Sequence, residues 1–107
     1  MKHDVEYTDL SKSDLKELEG SQAKIVIKAI GKVSENPLAK NQGGYGTPLG
    51  NKHGRNLTGL YRIKLLKLGI RIVYQLVREG KIMKIIVIAA RADDEVYDIA
   101  AQRSEKD

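Results

Sequence analysis

Polar and apolar positions alternate twice between residues 61 and 75, in two runs separated by a short break. Tyr61, Ile63 and Leu65 alternate with Arg62, Lys64 and Leu66, and Ile70, Ile72 and Tyr74 alternate with Arg71, Val73 and Gln75. Side chains in a strand point to opposite faces with period 2, so each run predicts a half-buried strand. Gly69 predicts the turn, because glycine takes positive φ at little cost. A four-residue loop, Leu66 to Gly69, pairs Leu65 with Ile70, Ile63 with Ile72 and Tyr61 with Tyr74, and collects the large apolar groups on one face. A three-residue loop would set Arg71 opposite Leu65 and mix the faces. The four-residue loop also sets Lys64 opposite Arg71, with Arg62 two residues along the same face. Like charges facing each other across a strand pair are unfavourable by a few tenths to ~1 kcal/mol, so this register predicts an anion on that face.

The rest of the chain reads around this hairpin. Lys2 to Tyr7 alternates weakly and predicts a first strand. Thr8 or Asp9 is placed to cap a short helix carrying Leu10, Leu15 and Leu18, which Gly20 ends. Ser21 is a good N-cap for a second helix, whose apolar face is Val26, Ile30 and Val33 with Ala23 and Ile27 beside it. Pro37 stops it and disfavours helical backbone at Asn36, and so short a link predicts an antiparallel helical hairpin. Asn36 to Leu57, rich in Gly, Pro and Asn, predicts a long loop of the kind that is usually functional or mobile. Val77 to Lys81 predicts a second turn. Ile82 to Ala90 is apolar on both faces and predicts an interior strand. Asp93 or Asp94 caps a last helix, with Asp93, Asp94 and Glu95 at its positive end. Val96, Ile99, Ala100 and Arg103 form one face of that helix, with Tyr97 to one side. The tail from Ser104 reads as frayed. The predicted class is α+β in the order β-α-α-β-β-β-α: an N-terminal strand and helical hairpin packed on one face of a mostly antiparallel sheet, in a single domain spanning 1–107.

Composition narrows the functional classes. The 107 residues are 41% hydrophobic, enough for one modest core. There is no Phe or Trp, so the core must be aliphatic with a few Tyr. The net charge is +5 and the isoelectric point about 9.5, which favours polyanions. Without Cys there is no disulfide, thiol catalysis or thiolate metal site. His3 and His53 are the only histidines; both read as surface residues, and a metal site is not expected. No signal peptide is read at the N-terminus, and the longest apolar run, Ile85 to Ala90, cannot span a membrane. The cytoplasm is the expected location. The Gly43–Gly50 stretch is not a nucleotide loop: its spacing is not G-x-G-x-x-G, no strand precedes it, no helix follows, and G-K-[ST] is missing.

The face of the sheet turned away from the helices should carry Arg62, Lys64 and Arg71, with Arg91 at the end of the interior strand and Tyr97 in the first turns of the last helix. Four cations and a phenol around one concavity suit a phosphodiester. Guanidinium forks bind phosphate oxygens bidentately, and Lys adds a point charge. Taken singly, each of these residues is an ordinary solvated or edge position; their convergence is what points to function. No acid pair and no histidine is expected on this face, which disfavours two-metal hydrolysis and histidine acid–base catalysis. Lys52, His53 and Arg55 make the long loop basic. Lys52 and Arg55, with Lys67 in the hairpin turn, are candidate RNA contacts; a plain solvated loop is the alternative.

Three segments together, Leu57-Thr-Gly-Leu-Tyr-Arg-Ile-Lys-Leu65, Gly69-Ile-Arg-Ile-Val-Tyr-Gln75 and Arg91-Ala-Asp-Asp-Glu-Val-Tyr97, resemble the RelE branch of the RelE/ParE toxin superfamily over nearly the whole chain. The resemblance implies a toxin of a type II toxin–antitoxin pair with an antitoxin protein as partner. It implies cleavage of mRNA in the ribosomal A site without metal or cofactor. The 2′-hydroxyl attacks the adjacent phosphate and leaves a 2′,3′-cyclic phosphate. It assigns proton transfer to Lys64 and Tyr97, with Tyr97 also stacking on a base. Arg71 stabilises the developing charge and protonates the leaving 5′-oxygen, and Arg62 and Arg91 hold backbone phosphates. Arg62 stands where some relatives carry Lys, Ala90 where some carry a basic residue, and the 36–57 segment is longer than in compact members. Two alternatives share the fold: a ParE-like inhibitor of DNA gyrase, and an RNA- or protein-binding module without activity.

Overall fold

The computed structural model describes residues 2–52, 55–77 and 81–106; His53 and most of the turn expected at 77–81 lie outside the described residues. In chain order the elements are β1 (Asp4–Tyr7), α1 (Asp9–Lys16), α2 (Gly20–Ser34), a 3-10 turn (Lys40–Gln42), β2 (Thr47–Lys52), β3 (Arg55–Leu65), β4 (Ile70–Val77), β5 (Ile82–Ala89) and α3 (Asp93–Lys106). The expected α+β order stands, with one strand added. The five strands form a single sheet in the order β1-β5-β4-β3-β2. Only β1–β5 is parallel; the other pairs are antiparallel.

The central hairpin has the register that the alternation required. Leu65 pairs with Ile70, Ile63 with Ile72, Tyr61 with Tyr74, and Lys64 with Arg71. Gly69 turns the chain at φ 66°. The Tyr61 and Tyr74 rings stack with centroids 5.3 Å apart, which adds about 0.5–1.5 kcal/mol beyond the area they bury.

The sheet has an apolar layer on each side, not on one. Ile70, Ile72, Tyr74, Met83, Ile85 and Ile88 pack with Val26, Ile30 and Val33 of α2, and Leu15 of α1 and Leu18 in the link after it join them. On the other side Leu60, Val73, Ile86 and Val87 pack with Val96, Tyr97 and Ala100 of α3. α3 therefore crosses the face that was expected to be clear of helices. A bulge in β5 places two consecutive residues, Ile86 and Val87, in this second layer. Val73 pairs with Val87 but Tyr74 pairs with Ile85, so Ile86 is an extra residue and the strand changes phase there.

Helix ends follow local chemistry, with two differences from expectation. Thr8 caps α1: its Oγ1 accepts from the Ser11 amide at 3.1 Å and donates to the Ile85 carbonyl at 3.0 Å. That hydroxyl both closes the helix and pins it to β5. α1 ends at Lys16, and Gly20 opens α2 instead of closing α1. Glu19, not Ser21, is the N-cap of α2, and it makes no side-chain cap bond. His3 is buried, at 8% exposure, because its amide bonds the Ser34 carbonyl at 2.7 Å and draws the N-terminus under the end of α2.

The 36–57 segment is not one loop. Its second half is β2, which pairs with β3 from Thr47↔Arg62 to Lys52↔Arg55. Its first half closes on itself: the Tyr45 amide donates to the Asn36 carbonyl and the Gly46 amide to the Leu38 carbonyl, each at 2.9 Å. Tyr74 Oη donates to the Pro37 carbonyl at 2.8 Å, and burial, with Tyr61 adding to it, pushes this phenol well above its ordinary pKa. Gly46 has to be glycine for this, since a Cβ there would collide with Tyr74 Oη and come within 2.8 Å of the Pro37 carbonyl oxygen. Gly44, whose Cβ would collide with the Leu38 carbonyl, and Gly46 thus serve close backbone packing.

Candidate functional site

Strand pairing assembles most of the site. On the α3 side of the sheet, Arg62 and Lys64 sit two apart on β3, and Arg71 lies opposite Lys64 on β4. The like-charged pair does meet an anion, and it is the protein's own. Asp93, in the first turn of α3, accepts from Arg71 Nε through Oδ1 and from Lys64 Nζ through Oδ2 at 3.2 Å. Arg62 NH1 stands 3.9 Å from the same Oδ2. The face was expected to hold no acid pair, and it holds this one carboxylate. Asp93 reads in the sequence as a helix-end acid, but three cations from two strands have claimed it.

Burial alone would raise the pKa of Asp93; hydrogen bonds from Lys64 and Arg71 and their positive charge outweigh it and hold the carboxyl below its ordinary value of 3.8. A depressed folded-state pKa contributes stability that is complete above the ordinary value and is lost as pH falls through the folded one. The anchoring of α3 by Asp93 should therefore weaken only below about pH 4. Stability measured against pH should fall on that acid limb, and Asp93→Asn should flatten the limb. An unchanged acid limb in the variant would show that Asp93 is not a linked group.

Tyr97 reaches the cluster from the opposite side. Its ring is 1% exposed in the α3 core, while its hydroxyl accepts from Arg62 NH1 at 2.7 Å. A ring so enclosed offers no face for a base to stack on, so it is the hydroxyl and not the ring that belongs to the site. Arg91 does not join the cluster. Its guanidinium pairs with Glu95 one helical turn on, at 3.1 Å, with both side chains more than half exposed. It lines a groove of about 680 Å³ with Asp14, Glu17, Glu95 and Arg103. Only the Arg91 carbonyl meets the cluster, accepting from Arg71 NH1 at 2.7 Å. Arg71 thus grips the start of α3 twice, at Asp93 and at the Arg91 backbone. Lys67 is exposed in the hairpin turn, and Lys52 and Arg55 pair at the far end of β2 and β3.

A second ion pair positions α3, and no local spacing announces it. Arg103 NH1 donates to Asp14 Oδ2 at 2.7 Å and to the Ile86 carbonyl at 2.8 Å, and its NH2 donates to Asp14 Oδ1 at 3.2 Å. Asp14 also accepts from the Ile88 amide at 3.0 Å. One carboxylate thus fastens α1, β5 and α3 together. Among the described residues no group of three metal-ligating side chains occurs, and no helix is long and apolar enough to cross a membrane.

The fold, a five-stranded sheet with a helical pair on one face and a C-terminal helix on the other, matches that of solved RelE toxins, as the resemblance implied. The free E. coli toxin RelE, solved as a double arginine-to-alanine mutant, superposes with a TM-score of 0.76 over 96% of this chain and 98% of that one, at 23% identity. The toxin–antitoxin complex RelBE2 of Mycobacterium tuberculosis gives 0.68 over 85% of this chain and 100% of that one, at 24% identity. A putative RelE-like toxin protein of E. coli is 35% identical over 49 residues, which are 46% of this chain and 52% of that relative. The match therefore spans about half the length of the curated relative. No family model matches the chain.

Proposed function

We propose that this chain is the toxin of a type II toxin–antitoxin pair, a cytoplasmic endoribonuclease that cuts mRNA in the ribosomal A site without a metal or cofactor. The observation that carries the reading is the convergence of Arg62, Lys64 and Arg71 on a single anion position. Strand pairing prepays the electrostatic cost of gathering those cations, as a site for a phosphodiester requires. In the proposed reaction the 2′-oxygen forms a bond to phosphorus and the bond to the 5′-oxygen breaks. The 2′-hydroxyl gives up its proton and the 5′-oxygen gains one, leaving a 2′,3′-cyclic phosphate. Arg71 and Arg62 bear on the charge that grows on the phosphorane oxygens, with Arg71 also placed to protonate the 5′-oxygen. Lys64 and the Tyr97 hydroxyl assist proton movement. Arg91, Lys52, Arg55 and Lys67 lie away from the cluster and would hold flanking backbone phosphates.

An antitoxin partner is part of the same reading, supported by the likeness to RelE solved with an antitoxin RelB peptide and to the RelBE2 complex. The test is to map the 5′-ends of transcripts after induction, with and without ribosomes. Discrete cuts that need ribosomes and leave 2′,3′-cyclic ends are expected. Intact transcripts together with inhibited supercoiling would replace the reading with a gyrase inhibitor.

A further inference from the structure

The seat prepared for a phosphate is already taken. Asp93 Oδ1 and Oδ2 receive the Arg71 and Lys64 donors, and Arg62 stands 3.9 Å from Oδ2. Those three side chains are between about a fifth and a third exposed, as is Asp93 itself. The anion therefore sits at the mouth of the site and not deep within the core. The two non-bridging oxygens of a phosphodiester would need these same donors, and two anions cannot share them. Arg71 also holds the Arg91 carbonyl at 2.7 Å. A phosphate that takes Arg71 must therefore loosen the 91–93 segment at both of its grips.

We propose that Asp93 is an internal competitor for the substrate phosphate: its carboxylate occupies the Arg62–Lys64–Arg71 seat in the free protein, and RNA must displace it to bind. This rests on the nuclease reading of the site. A site that is competent in only a fraction of molecules binds with its apparent affinity reduced by that fraction. Asp93 thus sets how many simultaneous phosphate contacts an RNA must offer before it is held. A single phosphate competes poorly with a tethered carboxylate, whereas an extended strand brings further contacts to basic residues along its path. A general-base role fits the geometry less well, because a carboxylate held by several cations gives up its lone pairs reluctantly.

The test uses the full chain, a fully 2′-O-methylated hexaribonucleotide that cannot be cleaved, and inorganic phosphate. Asp93→Asn keeps the shape and removes the charge. It should bind both probes about tenfold or more tightly than wild type, the scale of one charge-assisted hydrogen bond no longer contested. Arg71→Ala should abolish the gain in the double variant. In the unsubstituted protein, phosphate should move the side-chain carboxyl ¹³C resonance of Asp93 towards that of a free aspartate, a readout independent of how any variant folds. Equal or weaker binding by Asp93→Asn, or an Asp93 resonance that ignores phosphate, would overturn the competitor role while leaving the nuclease site standing. If wild type and Arg71→Ala bind the RNA alike, the seat itself is misassigned and both readings fall.

Discussion

Arg71→Ala should slow RNA cleavage by about 10²–10³-fold, the usual loss when one donor aimed at transition-state charge is removed. Arg71 sits between Lys64 on the neighbouring strand and Asp93 on α3, and the other guanidinium of the cluster, Arg62, stands farther from that carboxylate, at 3.9 Å. Its loss removes a charge and also unfastens the Arg91 carbonyl. Relief of growth inhibition in cells and single-turnover cleavage on purified ribosomes would report it. Tyr97→Phe is the matched control on geometry: it keeps the ring in its packed place and deletes only the hydroxyl that accepts from Arg62. It should relieve toxicity as well, with a stability change of no more than about 1 kcal/mol, as for one hydrogen bond. Full toxicity in both variants would show that the chemistry lies elsewhere.

The largest effect on stability is expected at Asp14. Its carboxylate takes both terminal nitrogens of Arg103 and the Ile88 amide, and the two side chains are 16% and 19% exposed. Asp14→Ala would leave a guanidinium and a strand amide without their acceptor, which should cost about 3 kcal/mol. For a chain of this size that corresponds to a fall in melting temperature of roughly 10 °C or more. Chemical denaturation should show the loss as a lower midpoint at an unchanged slope. A loss under about 1 kcal/mol would show that the three elements hold together by packing alone. Because α3 also carries Asp93 and Tyr97, the same variant should be less active than its folded fraction implies.

The central hairpin was fully legible in the sequence, because strict alternation and one glycine leave a single register that keeps the faces separate. Alternation also named Arg62, Lys64 and Arg71, whereas Arg91 was named from the end of the interior strand and Tyr97 from the first turns of the last helix; of these four cations and one phenol, all but Arg91 meet. Arg91 was misplaced because a strand pattern says where a strand ends, not which partner an exposed side chain takes one turn into a helix. β2 stayed hidden because Thr-Pro-Leu-Gly-Asn-Lys lacks strand propensity and is held by backbone pairing with β3. Asp93 and Asp14 were invisible as site residues for one shared reason. Their partners lie between 22 and 89 positions away along the chain, and no local spacing records such contacts. The expectation of helices on one face failed at Ile85-Ile-Val-Ile88. A run that is apolar at every position gives no sign of which residue is the extra one.

That extra residue has a wider consequence. Were β5 regular with Ile86 still in it, period-2 alternation from Ile85 would turn Val87 and Ala89 towards α1 and α2 and Ile88 towards α3. Val96, Tyr97 and Ala100 would then lose Val87 from the layer they pack on. The floor beneath α3, which carries Asp93 and Tyr97, is laid by a single-residue slip in one strand. A lineage that straightened the strand would keep every cationic side chain of β3 and β4 and yet lose part of that floor.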